Sequence, residues 1–158
     1  MIILGIDPGS RFCGYGIIQT EKNQIVAAGC GTIVIKPKLS FPEKLELVFG
    51  RISELIKEYQ PNVLAIETVF LGKNLKSVLV LSQVRGVIIL AAQLNKMQVY
   101  EYSPREIKKS VVGNGNASKQ QVQYMIQKLI PLNKQPATND ASDGLAIAYC
   151  HFNKLRFL

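Results

Sequence analysis

Met1-Ile2-Ile3-Leu4-Gly5-Ile6-Asp7-Pro8-Gly9-Ser10 opens the chain, an apolar run that stops at an acid and then at a Pro-Gly turn. A run this short, bounded by turn residues, predicts a buried strand over Leu4–Ile6 with Asp7 at its end. Gly14–Gln19 and Ile25–Ile35 read as two further strands, joined through a hairpin loop at Glu21-Lys22-Asn23. Leu45, Val48, Phe49, Ile52, Leu55, Ile56 and Tyr59 recur every three or four residues, so residues 42–60 are expected as an amphipathic helix starting at Pro42. Pro61-Asn62 ends it. Val63–Glu67 is a short apolar strand of the kind buried in a sheet, and Gln98–Tyr102 is another, closed by Ser103-Pro104. A long helix is expected over 75–95, and shorter ones over 104–111, 118–130 and 140–156. Antiparallel strands followed by strand–helix–strand units make this an α/β chain, a mixed five-stranded sheet with helices on both faces.

Acids are scarce here, 11 Asp plus Glu against 19 Lys plus Arg, and the only aspartates are Asp7, Asp140 and Asp143. Glu67 ends the apolar run Val63-Leu64-Ala65-Ile66 as Asp7 ends the first. Asp140 and Asp143 open the last helix one turn apart, on one face. If the strands ending at Asp7 and Glu67 are neighbours, four carboxylates can converge. Carboxylates brought together repel and are driven to protonate unless a cation holds them. Oxygen ligands of this kind suit magnesium or manganese. Two such ions can activate a water and stabilise a leaving oxygen, which points to metal-dependent phosphodiester chemistry. The plainer reading of Asp140 and Asp143, as first-turn acids favoured by the helix dipole with Asn139 or Thr138 as cap, leaves Asp7 and Glu67 unexplained.

The net charge of +8 falls wholly on residues 68–158, while residues 1–67 sum to zero. A basic surface around an acidic pocket suits an enzyme acting on a polyanion, against the plainer alternative of a lysine-rich solubilising surface. At 158 residues with 47% hydrophobic and 19% charged residues, a single folded domain over 1–158 is expected. Cys13, Cys30 and Cys150 lack CxxC spacing and read as reduced packing groups. The N-terminus has no basic n-region and the longest apolar run is Val87–Ala92, so a cytoplasmic chain without signal peptide or membrane span is expected. The helix over 75–95 carries apolar residues on several faces. Val78, Leu81, Val84, Ile88 and Ala92 form one and Leu79, Val87, Leu90 and Leu94 others, so the helix is either a central core helix or, the favoured reading, half of a subunit interface, with Val84 and Ile88 expected in its seam.

Gly5-Ile6-Asp7-Pro8-Gly9-Ser10-Arg11 with Gly14-Tyr15-Gly16 resembles the opening of the RuvC family of Holliday-junction resolvases. Ala65-Ile66-Glu67, Val69-Phe70 and Lys73-Asn74 resemble its second motif, and Gln83-Val84-Arg85-Gly86-Val87 its long-helix motif. Val111-Val112-Gly113 through Lys119 resembles its glycine loop, and Asp140-Ala141-Ser142-Asp143-Gly144-Leu145-Ala146-Ile147-Ala148 its last acidic motif. The resemblance runs in order through almost the whole chain. It implies a ribonuclease-H-like fold and a homodimer that cuts four-way DNA junctions by paired symmetric nicks, leaving 5′-phosphate and 3′-hydroxyl ends. It implies two Mg²⁺ per site, with Mn²⁺ as substitute, held by the catalytic acids Asp7, Glu67, Asp140 and Asp143. It also implies DNA contacts by Phe70, Lys73, Lys108 and Lys119, and a RuvA-RuvB branch-migration complex as partner. Thr68 and Gly144 depart from the family's usual glutamine and alanine. Gly144 is expected to loosen the acid-bearing turn, at about 0.5–1 kcal/mol relative to alanine, and the chain stops at Leu158 without the tail some relatives carry. His151, the only histidine, reads as structural. The competing readings are a YqgF-type enzyme trimming ribosomal RNA precursors, a non-catalytic junction-binding protein, and an actin-like ATPase, for which 158 residues supply one lobe too few.

Overall fold

The computed structural model describes residues 1–69, 74–132 and 135–156. Five strands run in chain order as β1 (Ile2–Asp7), β2 (Phe12–Glu21), β3 (Gln24–Val34), β4 (Val63–Glu67) and β5 (Gln98–Tyr102). Helix α1 (Phe41–Tyr59) precedes β4 and α2 (Leu75–Leu94) precedes β5. Then α3 (Pro104–Val112), α4 (Lys119–Leu129) and α5 (Asn139–Arg156) complete the described chain. The sheet order is β3-β2-β1-β4-β5. β1 pairs antiparallel with β2 and parallel with β4, and Ile6 faces Ile66 in register. The two parallel strands therefore bring Asp7 and Glu67 to the same end of the sheet.

Alternation along the strands divides the core in two. Ile3, Ile18, Val63 and Ala65 pack with α3, α4 and α5 around Leu145 and Ile147. Leu4, Ile6, Cys13, Leu64 and Ile66 point the other way, onto Val48 and Ile52 of α1 and Val84 and Ile88 of α2. Strands β1 and β4 are covered on both faces, which is why their sequences read as continuous apolar runs. Cys13 and Cys150 are buried and all three cysteines are free.

Helix α5 lies unusually close to the sheet because glycines meet there. A Cβ on Gly14 would stand 1.8 Å from the Asp140 carbonyl oxygen, and one on Gly144 would stand 2.4 Å from the Tyr15 carbonyl carbon. Gly144 thus lets the acid-bearing turn seat against β2, and the expected loosening of that turn is corrected by this contact. The end of α5 is held further by Thr138, whose hydroxyl accepts from the Ala141 N–H at 3.1 Å and meets the Thr32 hydroxyl of β3 at 2.5 Å. Of the two candidate caps it is Thr138 that supplies the oxygen.

The seam expected on α2 is also corrected. Val84 and Ile88 are fully buried against α1, whereas Leu75, Leu79, Leu90 and Leu94 are exposed. A helix apolar on all sides gives no periodic signal to say which side faces the core. By length and composition α2 could cross a membrane. Its middle, however, carries Arg85, whose guanidinium turns back to the sheet.

Candidate active site

The end of the sheet where β1 and β4 stop opens into a cavity of about 290 Å³, lined by Asp7, Glu67, Lys108, Lys119 and Asp143, with Ile107 and Val122 among its apolar walls. Asp140 joins from the first turn of α5: one carboxylate oxygen each from Asp7, Asp140 and Asp143 lie within 4.8 Å of one another. Asp7 and Asp143 belong to both groupings, so the four acids form one continuous cluster. Lys119, the first residue of α4, reaches back so that its Nζ lies 2.7 Å from Asp143 Oδ2. The capping box of Ser118 with Gln121 fixes the start of that helix and hence the direction of the lysine. Lys108 projects into the same cavity from α3, whose start is fixed by the Ser103–Glu106 capping box.

Three of these acids, Asp7, Glu67 and Asp143, have their carboxyls raised above the ordinary range. Burial, then the charge of Glu67 and a hydrogen bond shared with it, push the Asp7 carboxyl up to about 8. Burial also raises Glu67, against the favourable effect of Asp7, Lys119 and Lys108. It raises Asp143 as well, although the Lys119 ammonium pulls the other way. The Lys119 ammonium is itself raised, chiefly by its hydrogen bond to Asp143. Clustered carboxyl oxygens that cannot all ionise unaided are the donor set a hard divalent cation relieves, so Asp7, Glu67, Asp140 and Asp143 fit a magnesium-type ion.

A measurable consequence follows for cation binding. Because Asp7 titrates near 8 in the folded protein, Mg²⁺ must displace a proton below that pH and none above it. Calorimetry in buffers of differing ionisation enthalpy should show net proton release near neutrality that vanishes well above pH 8. Apparent affinity should rise about tenfold per pH unit for each proton displaced. Binding that is independent of pH between 6 and 9 would show that Asp7 is not a ligand.

One positioning contact escaped the sequence reading. Arg85 donates from Nε to the Glu67 carbonyl oxygen at 3.2 Å and pairs through Nη2 with Glu101 at 2.5 Å. It ties α2 to the strand end that carries Glu67. The available signal was a cation in the middle of an apolar helix. Phe70 and Lys73 lie outside the described residues. His151 is buried with its Nδ1 2.7 Å from the Tyr102 hydroxyl, and burial holds it down at about 4, which agrees with a structural role.

The family model described as crossover junction endodeoxyribonuclease RuvC matches residues 3–151. The chain belongs to the RuvC family. It is 43% identical over 157 residues to the crossover junction endodeoxyribonuclease RuvC of Alkaliphilus metalliredigens, covering 99% of this chain and 96% of that one. With its counterpart from Citrifermentans bemidjiense it shares 49% identity over 151 residues, covering 96% and 92%. T. thermophilus RuvC, solved in complex with Holliday junction substrate, superposes at a TM-score of 0.90 with 25% identity, covering 99% of this chain and 96% of that one. The mixed sheet with helices on both faces is therefore the ribonuclease-H-like fold of RuvC, as the resemblance implied. The RuvC assignment also separates this chain from the actin-like and ribosomal-RNA-processing readings.

Proposed function

We propose that this chain is a magnesium-dependent endonuclease that resolves four-way DNA junctions by paired symmetric nicks. The observation that carries the reading is the convergence of Asp7, Glu67, Asp140 and Asp143 with Lys108 and Lys119 at one end of the sheet, in a chain of the RuvC family. Magnesium, with manganese as substitute and two ions per site, would be held by the four acids. When bound it supplies a water of lowered pKa and neutralises charge building on the phosphate. Lys108 and Lys119 attract the scissile strand, since a basic rim draws a polyanion toward an acidic pocket that would otherwise repel it. The apolar walls, Ile107 and Val122, limit the water around the acids and so strengthen every charge interaction there.

The chain works as one nuclease domain over 1–158, in the cytoplasm, as a homodimer whose seam is the exposed face of α2. It acts on junctions delivered by a RuvA-RuvB branch-migration complex. Phe70 and Lys73 contact the junction alongside Lys108 and Lys119. The test is incubation of the protein with a synthetic four-way junction, with and without Mg²⁺. Paired nicks carrying 5′-phosphate and 3′-hydroxyl ends that DNA ligase seals are expected with the ion only. Binding without cutting at any magnesium concentration would make this a non-catalytic junction protein.

Lys119 gives two effects of opposite sign. Its ammonium competes with a cation for Asp143, so Lys119→Ala should bind Mg²⁺ more tightly than wild type. The same variant should cut more slowly, and the slope of log affinity for DNA against log salt should flatten by roughly 0.9 for the lost phosphate contact. A variant with weaker Mg²⁺ binding would mean that Lys119 supports the acids instead of competing for them.

A further inference from the structure

Strand β2 begins, and β3 ends, at the same end of the sheet as Asp7, which pairs with Gly14. Gly14 and Thr32 face each other across these strands, and both touch the turn that carries Asp140: Gly14 through the Asp140 carbonyl, Thr32 through Thr138. The next pair on the same face is Phe12 with Val34, two residues further out. Both are exposed, Phe12 by 45% and Val34 by 57%. The Arg11 guanidinium carbon lies 6.0 Å from the centre of the Phe12 ring. Arg11 and Ile35 are joined through a backbone hydrogen bond, so Lys36 and Lys38, both exposed, follow at the same corner. Among the described residues, none of these three cations enters an ion pair. The acid that starts α1 nearby, Glu43, is occupied by the Ser40 N–H and hydroxyl.

We propose that Arg11, Phe12, Val34, Lys36 and Lys38 form a second nucleic-acid contact, which grips the junction strand where it leaves the acid cluster. The proposal rests on the reading of the chain as a junction nuclease. Charge complementarity and continuity with the acid site both select DNA as the occupant. Three cations outside any described ion pair, one of them beside an exposed aromatic ring, suit phosphates and a sugar or base face. Two apolar side chains are far less than the contact area a stable protein partner needs. Lys108 and Lys119 line the acid cavity from α3 and α4, whereas this patch lies on β2 and β3, so the strand is held at the cut and again beyond it.

The test compares two triple variants that remove equal charge. Arg11→Gln with Lys36→Gln and Lys38→Gln alters the patch, while Lys22→Gln with Lys57→Gln and Lys96→Gln alters exposed lysines at the opposite end of the sheet. Affinity for a four-way junction should fall about tenfold in the first, and its salt slope by roughly 2–3, at 0.9 per phosphate contact. The second should stay within about twofold of wild type, since it loses charge but no phosphate contact. Phe12→Ala should weaken binding about fivefold with the salt slope kept, because stacking carries no counterion release. Methylphosphonates placed one at a time on either flank of the cut should weaken wild type at the phosphates the patch holds and leave the patch variant indifferent there. Equal losses in both triple variants, or no loss in the first, would overturn the proposal. Wild-type protein is assayed for magnesium-dependent nicking in parallel. If it cuts no junction, the nuclease reading itself falls; if it cuts normally while the patch variant binds like the control, only this contact falls.

Discussion

Asp7→Asn should bind a four-way junction as wild type does and cut it roughly a thousandfold more slowly, a loss of about 4 kcal/mol at 1.36 kcal/mol per tenfold. The substitution keeps the shape of the side chain and removes the negative charge that the acid cluster offers a cation. Basic contacts to DNA are untouched, so affinity and salt slope stay. The raised carboxyl supplies an independent check on stability. The Asp7 pKa is about 8 in the folded chain against an ordinary 3.8. A group raised on folding contributes stability below its unfolded value, and that contribution is lost as pH rises through the folded one. Without added cation, wild type should therefore lose thermal stability between about pH 4 and 8, and Asp7→Asn should lose less. Magnesium should raise the melting temperature of wild type near pH 8 and leave the variant almost unmoved. A variant that cuts at near wild-type rate would end the assignment of Asp7 to the metal site. One that melts far below wild type at pH 8 would make the acid structural.

The sequence was most legible where one local rule decided the outcome. Val63–Glu67 is boxed between Pro61-Asn62 and its own terminal acid, and the structure gives β4 those bounds. Gln98–Tyr102 is closed by Ser103-Pro104 in the same way. Acids at strand ends pointed to convergence on the condition that their strands are neighbours, and the parallel pairing of β1 with β4 meets it. Less legible were features that depend on how two elements meet. Nothing in Gly14 or Gly144 taken alone says that each faces the other element's backbone. That approach brings the Asp140 turn onto β2. The salt bridge from Lys119 to Asp143 joins two helices 24 residues apart in the chain, and Arg85 reaches the Glu67 carbonyl across the helix–sheet gap. Helix α2 shows the limit most plainly: with apolar residues all around, its pattern could not say that Val84 and Ile88 belong to the core and Leu79 and Leu90 to the surface.

That distinction determines the second large effect. Leu79→Asp with Leu90→Asp should turn a dimer into a monomer while leaving the fold intact, because these side chains are 65% and 52% exposed. Val84→Asp or Ile88→Asp would instead bury a charge against α1 and unfold the chain. The two leucines lie eleven residues, about three turns, apart on the same stripe as Leu75 and Leu94. Between them Gly86 leaves open space where a Cβ would stand, room for a second helix to approach. In a two-fold dimer each substitution counts twice, so four leucines leave the seam. At about 1.5–3 kcal/mol for each buried leucine, that removes roughly 6–12 kcal/mol, enough to dissolve a nanomolar dimer. Sedimentation should report the monomer, and on a four-way junction nicks on the two opposing strands should become uncoupled. A two-fold dimer also sets two identical acid clusters against two strands of like polarity. A dimer of one wild-type and one Asp7→Asn subunit should accordingly nick one strand only. Wild-type protein that stays monomeric on junction DNA, or a double variant that still sediments as a dimer, would move the seam away from α2.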